Sequence, residues 1–438
     1  MFNYYLKLGI RNLRRNPLLT ALMIITLAVG VAASVSTLTI LHVMSSDPIP
    51  DKSSLLLVPV IDNASMNGYV PGERTEDQMM TYTDTMNLFT QKIGSDRTAI
   101  FSFDSTVESP DPKLGLIDIN GIATTSSFFP MFEVPFKYGT AWNSDDERKM
   151  SKVVVLSEAA SEKYFGKENP VGKSIRLQRD DFQVIGVLAK WNPLPHYTNL
   201  VEGKDRFVGE DDIYVPFQTA TSLKVDFAGS VWCSYAGAKP GIQGLMDSEC
   251  SWLQVWIEAK SAVQVKQIKD QLDAYTLEQH KLGRLPRQAK NELLNVNEWM
   301  EYLHIVGNDH KISTWLSFGF LALCLVNTVG LLLAKFSARA SEVGVRRALG
   351  ASKTDIFKQF IVETMVLGFA GGIVGLLLSL AGLWLISLQT KQLQVIAHMD
   401  VSMLMTTFIL SVSASVLAGL FPTWRACQVT PAIQLKTQ

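Results

Sequence analysis

Four apolar runs, Pro17–Leu41, Ile312–Ala334, Thr364–Leu388 and Val401–Trp424, contain no Asp, Glu, Lys or Arg. About 20 such residues cross the roughly 30 Å hydrocarbon core of a bilayer as a helix, because a helix satisfies its own backbone polar groups in lipid. The chain is therefore expected to span a membrane four times, and every other segment must lie on one side or the other. Overall composition hides this: 47% hydrophobic and 18% charged residues over a 438-residue chain would also suit a soluble multidomain protein.

Charge assigns the sides. Lys7, Arg11, Arg14 and Arg15 precede the first run, and Lys335, Arg339, Arg346, Arg347, Lys353 and Lys358 crowd around the segment between the second and third. Short loops rich in Lys and Arg stay cytoplasmic. Both termini and the segment Ser341–Glu363 are thus expected inside, while residues from about 45 to 310 and the loop Gln389–Asp400 are expected outside. The first run is longer than the 7–15 apolar residues of a cleaved signal, so it reads as an uncleaved anchor. Arg425 and Lys436 end the chain in the cytoplasm. Residues 2–15, with Phe2, Leu6 and Leu13 set against Lys7, Arg11 and Arg14, read as an interfacial helix in contact with membrane lipid, either a plain anchor or a contact surface.

The outer region has α+β patterning. Leu55–Val60, Ala99–Phe103 and Ser251–Glu258 read as strands, the last half-buried; Thr81–Ile93 and Ser261–His280 read as helices with apolar stripes. Two strand–helix units bracket an insert in which Val153–Leu156, Ile175–Leu177, Phe182–Leu188 and Ile213–Val215 are strands, and Ser157 caps a helix through Phe165. Asn291–Ile305 reads as an amphipathic helix running into the second span. Cys233 and Cys250 lie in the outer region, where a disulfide persists, so they are either bridged or two buried thiols. Cys324 and Cys427 fall in or just inside the membrane, where oxidation is not expected.

Several function classes are disfavoured. Near-neutral charge, −1, and the lack of a basic tract give no reason to expect nucleic acid. Gly166–Ser174, GKENPVGKS, resembles a phosphate-binding loop, but five residues instead of four separate its first glycine from GKS. No catalytic residues, metal site or cofactor site are expected, because the six histidines are scattered and no HExxH or GxSxG is present. The absence of charge within the four runs removes the usual carriers of a proton or ion relay. The third run holds Gly368, Gly371, Gly372 and Gly375, whose spacing lets another helix approach closely, in the same chain or in a second copy.

The segment EVGVRRALGASKTDIFKQFIVET resembles the cytoplasmic loop motif of the MacB/FtsX-like ABC transporter permeases, and Gly419–Lys436, GLFPTWRACQVTPAIQLK, is similar to that family's closing pattern. Phe128–Phe132, Val153–Phe165, Asn169–Leu177 and Phe182–Val187 resemble the external domain of macrolide-exporter-type permeases, whereas residues 52–105 match poorly. The resemblance implies an α-helical membrane protein with four transmembrane helices and a large α+β periplasmic domain, in the bacterial inner membrane. Its expected parts are an interfacial helix, 1–16; spans at 17–44, 311–336, 363–388 and 401–424; a periplasmic domain, 45–310; a cytoplasmic coupling loop, 337–362; a periplasmic loop, 389–400; and a tail, 425–438. Within the periplasmic domain the resemblance implies a porter-like part, 50–111 and 221–290, an inserted subdomain, 112–220, and a stalk, 291–310.

The same resemblance implies a permease subunit that couples ATP hydrolysis on a separate ABC ATPase to motion of its periplasmic domain. Its work would be export of an antibiotic, peptide or other amphiphile. Glu342, Gly344, Arg346, Arg347, Leu349 and Gly350 would contact the ATPase; the other reading is that the arginines only hold the loop to anionic lipid. A second permease chain, identical or sister, and a periplasmic adaptor are implied partners. Two alternatives stay open: a non-transporting mechanotransmission scaffold that activates a periplasmic partner, and a lipoprotein-extraction permease. The macrolide exporter carries a fused ATPase domain, which is absent from these 438 residues.

Overall fold

The computed structural model describes residues 9, 11–12, 15–67, 69–71, 79–108, 115–177, 179–199, 211–235, 237–287, 290–388 and 401–428. Most of the expected interfacial helix, the loop 389–400 and the last ten residues lie outside the described residues. The chain divides into a unit of residues 1–45 with 306–438, and a unit of residues 46–305. The strands are β1 Leu56–Val60, β2 Met80–Thr81, β3 Asp96–Glu108, β4 Leu116–Thr124, β5 Phe136–Gly139, β6 Val153–Leu156, β7 Ser174–Leu177, β8 Asp180–Leu188, β9 Ile213–Pro216, β10 Asp226–Phe227, β11 Ser251–Glu258 and β12 Glu292–Asn295. The helices are α1 Pro17–Ser45, α2 Tyr82–Thr90, α3 Phe128–Met131, α4 Ser144–Arg148, α5 Glu158–Phe165, α6 Phe217–Leu223, α7 Ile242–Met246, α8 Ala262–Lys281, α9 Val296–Tyr302, α10 Asn308–Ser337, α11 Ala340–Ala348, α12 Lys353–Ser387 and α13 Val401–Cys427.

Among the described residues, the first unit carries four helices long and apolar enough to cross a membrane: α1, α10, α12 and α13. Pro17 opens α1, a position where its missing N–H costs nothing. Helix α12 packs most extensively against α1 and α13, and α10 against α1. The glycines of α12 explain that arrangement. A Cβ at Gly371 would sit 2.8 Å from Leu27 Cδ2, and one at Gly375 would sit 3.2 Å from the Ala28 carbonyl oxygen, both on α1. On the opposite side, a Cβ at Gly368 would overlap Ser415, and one at Gly372 would lie 3.2 Å from Phe408, both on α13. The small-residue face is thus consumed within the chain. Hydroxyls finish the seams: Ser411 donates to the Gly368 carbonyl (2.7 Å), Ser34 to the Ser317 carbonyl (3.0 Å), and Ser36 and Ser379 share a 3.0 Å bond. Such bonds hold helices where apolar surface alone offers no preference for protein over lipid.

The second unit is built on a 12-stranded sheet ordered β12-β1-β11-β3-β4-β9-β6-β8-β5, with β2, β7 and β10 pairing off that path. The stretch expected to form an inserted subdomain adds its strands to this same sheet. The long β3–β4 hairpin, in register from Ile100↔Thr124 to Glu108↔Leu116, carries the ladder from one half to the other. Strand β11 was expected to be half-buried; it is buried along seven of its eight residues, because it lies mid-sheet and is covered on both faces. Gln254, which made the strand look amphipathic, is buried too and donates to the Val255 carbonyl (3.4 Å).

The two strand–helix units close on one another through polar contacts. Tyr275 of α8 donates to Asp84 of α2 (2.5 Å), and Arg284 pairs with the same carboxylate at 3.0 Å. The expected helical stalk at 291–305 is instead strand β12, antiparallel to β1, followed by the separate two-turn α9. The cause is local: Asn295 and Glu298 form a reciprocal capping box that starts a new helix at Val296, and Gly307 sets another start before α10. Cys233 and Cys250 are joined by a disulfide, and Cys324 and Cys427 are buried free thiols.

Candidate functional site

The basic segment between α10 and α12 is a short helix with a defined beginning and end. Helix α11 ends because Gly350 has φ +99°, a conformation other residues adopt only with strain. Ala351 N–H returns to the Arg346 carbonyl (3.1 Å), and the chain enters α12 through Ser352, whose hydroxyl accepts from Asp355 N–H at 3.1 Å. Glu342 and Arg346, one turn apart, pair at 2.5 Å, and a second Arg346 nitrogen donates to Gln359 of α12 (2.9 Å). Arg347 donates to the Cys427 carbonyl at the end of α13 (3.5 Å). Arg15 lies 3.5 Å from the other Glu342 oxygen.

One side of α11 is seated. Val343 joins Phe336, Ile356, Phe360 and Met23 in a buried cluster where Phe336 and Phe360 stack with ring centroids 4.3 Å apart. Gly344 is buried on the same side, so it supports the seat and is not available as a contact. Of the residues expected to form a surface, Leu349 is 83% exposed and Gly350 is exposed, whereas Glu342, Arg346 and Arg347 are half-buried. Val345, one turn before Leu349, is 49% exposed and extends the same apolar edge, although the sequence reading passed over it. The helix therefore presents two aliphatic side chains beside two guanidinium groups held by intramolecular partners.

The residues behind this surface include a group that sequence reasoning missed. By sequence Lys335 and Arg339 are loop cations, yet Lys335 Nζ lies 2.7 Å from Glu363 Oε1 and Arg339 Nη1 lies 3.1 Å from Glu363 Oε2. The side chains of Lys335 and Glu363 are fully buried, and that of Arg339 is 9% exposed. Asn12 completes the cluster: its amide donates to Glu363 (3.3 Å), and its carbonyl accepts from Arg339 (2.9 Å). Gly9 sits where a Cβ would lie 3.6 Å from the Glu363 Cα, so it packs against the backbone of α12 at this residue. Two cations one turn apart at the end of one span, followed by a lone acid at the start of the next, were the available signal. Among the described residues, no group of three or more His, Cys, Asp or Glu could hold a metal ion.

Two family models match: the MacB-like periplasmic core domain over residues 20–275 and the FtsX-like permease C-terminal domain over residues 315–431. The macrolide export ATP-binding/permease protein MacB of Syntrophobacter fumaroxidans is 23% identical over 349 residues, covering 72% of this chain and 46% of that protein. The pyoverdine export ATP-binding/permease protein PvdT of Pseudomonas aeruginosa is 24% identical over 333 residues, covering 74% of this chain and 44% of that protein. The chain thus spans about half the length of the curated relatives it matches. The crystal structure of the periplasmic region of MacB from Actinobacillus actinomycetemcomitans overlays 58% of this chain and 95% of its own, with 16% identity and a TM-score of 0.37. With one family model covering more than half of its residues and another covering the spans beyond, the chain belongs to the MacB/FtsX-like ABC transporter permease family.

Proposed function

We propose that this chain is the permease subunit through which ATP hydrolysis on a separate ATPase drives motion of the external domain, exporting an amphiphilic substrate. In this reading both termini and α11 are cytoplasmic, a second permease chain completes the transporter, and a periplasmic adaptor receives the substrate. The named relatives, both export ATP-binding/permease proteins, support the export class. The observation that carries the coupling role is α11 itself: a short helix anchored to α10 and α12 by buried charge and stacked rings, with Val345 and Leu349 left outside. Exposed aliphatics beside arginine are the composition of an interface centre, and a rigid seat lets force on the helix reach the spans.

The test is substrate-stimulated ATP hydrolysis by the purified transporter. Arg346→Glu with Arg347→Glu is expected to abolish stimulation while membrane insertion persists. Because both arginines also make intramolecular bonds, Leu349→Asp is the cleaner companion, since its exposed side chain lies outside the buried cluster. Normal stimulation in Leu349→Asp and in the double variant would remove the coupling role.

A further inference from the structure

The outer unit contains a cleft of about 310 Å³, lined by Tyr82, Met86 and Phe89 of α2, Arg97 of β3, Glu147 of α4 and Phe217 of α6, among others. That volume is at the lower end of the range for small-molecule sites, about 300–1,000 Å³. Its walls come from both sides of the β3–β4 hairpin: α2 precedes it, β3 is its first strand, and α4 and α6 follow it. Tyr82 and Phe217 lie nearly parallel, 7° apart with centroids at 6.5 Å, and Phe217 is braced edge-on by Phe101 at 5.4 Å. The apolar wall is therefore built on the buried core.

Two charges on this wall are in no salt bridge among the described residues. The half-buried Glu147 carboxylate accepts from Ser126 N–H and from Trp142 Nε1, and makes no ion pair among the described residues. Burial pushes its protonation upward, the sign of a carboxylate without a compensating cation. Arg97 donates to the Phe89 carbonyl (3.3 Å), and burial pulls its guanidinium down with only the adjacent Asp96 opposing. Lys92 and Asp96 also line the cleft; Asp96 attracts the adjacent Arg97 and repels Glu147 without forming a close ion pair with Arg97. A half-buried acid and a half-buried base sharing one aromatic cleft, unpaired with each other, form a template for a ligand carrying both opposite charges.

We propose that this cleft binds a zwitterionic, apolar-bodied ligand of the amino-acid or short-peptide class. Its ammonium group meets Glu147, its carboxylate meets Arg97, and its apolar body lies on Tyr82, Phe89 and Phe217. Occupancy ties α2 and β3 to α4 and α6, so the ligand bridges the two halves of the outer unit. The site is independent of the coupling helix, and its test involves no nucleotide.

The test is calorimetric titration of the full-length protein in detergent with Phe-Phe, N-acetyl-Phe-Phe and Phe-Phe amide. Phe-Phe should bind, and removing either terminal charge should weaken binding about tenfold or more, since each deletes a charge-assisted contact at a half-buried group. In Glu147→Gln, Phe-Phe should fall to the level of the acetylated peptide, with no further loss on acetylation. Arg97→Gln should do the same for the amide. No detectable binding of Phe-Phe to the wild-type protein, or equal affinity for all three peptides, overturns the proposal. The peptide series decides the matter even if a variant folds poorly.

Discussion

Glu363→Gln is the sharpest test of how the segment around α11 is held. The substitution keeps the shape but removes the negative charge and turns one of the two acceptor oxygens, which serve Lys335 (2.7 Å) and Arg339 (3.1 Å), into a donor. Breaking a buried pair by deleting one partner costs about 3–5 kcal/mol, because the surviving charge stays desolvated and unpaired. Two cations are stranded here, so the upper end, about 5 kcal/mol, applies. At roughly 2–4 °C per kcal/mol for a unit of this size, the unfolding midpoint should fall by about 10 °C or more. The assay is thermal unfolding of the full-length protein in a mild detergent. Lys335→Met supplies the contrast. It leaves a one-to-one Arg339–Glu363 pair still joined to Asn12, so the cluster loses its surplus positive charge and the midpoint should move far less. If Glu363→Gln shifts the midpoint by under 2 °C, or Lys335→Met is the more damaging change, the buried network is not what holds this junction.

Three further outcomes are expected. Gly368→Ala should lower stability by about 1–3 kcal/mol through overpacking against Ser415, whereas Gly330→Ala, which meets nothing within 4 Å inside the chain, should be nearly silent; paired unfolding curves compare them. Cys233→Ser with Cys250→Ser opens a loop closed across a sequence separation of 17 and should cost about 3 kcal/mol, measured as a lowered denaturation midpoint under oxidising conditions. Burial raises the Glu147 carboxyl above its unfolded value, so the stability it favours is fully present below the unfolded value and is lost as pH rises through the folded one. Relative to wild type, Glu147→Gln should therefore be more stable at pH 7 than at pH 4, and a parallel pair of melting-temperature profiles would refute this.

What could be read beforehand depended on how local each cause was. The spans were legible because a single criterion, no charge over some 20 residues, decides what lipid will accept. The helix start at Ser157 was legible because a capping hydroxyl acts within its own turn. The glycines of α12 announced a close approach, but not that α1 takes Gly371 and Gly375 while α13 takes Gly368 and Gly372. Strand β4 escaped notice because its identity rests on pairing with β3 across the hairpin and with β9 from far along the chain. Strand β12 escaped for the same reason: four residues between helix-like flanks become a strand only beside β1. The Lys335–Arg339–Glu363 cluster was the costliest omission. Each residue satisfied a topology rule separately, and only the approach of α10 to α12 makes them one group.

That group also bears on how α11 can work. Lys335 belongs to α10, Arg339 lies in the two-residue junction before α11, and Glu363 belongs to α12. A hinge at residues 338–339 would have to separate Arg339 from a fully buried carboxylate, at a cost of several kcal/mol for each broken pair. Cheaper motions move α11 together with the ends of α10 and α12. In the proposed coupling role, force applied at Val345 and Leu349 would pass to both spans as a rigid displacement rather than be lost in bending the junction. The N-terminal segment is recruited through Asn12, which bonds Arg339 and Glu363 together, so α1 is drawn into the same displacement. The arginines of α11 are themselves held to the same frame, through Glu342, Gln359 and the Cys427 carbonyl.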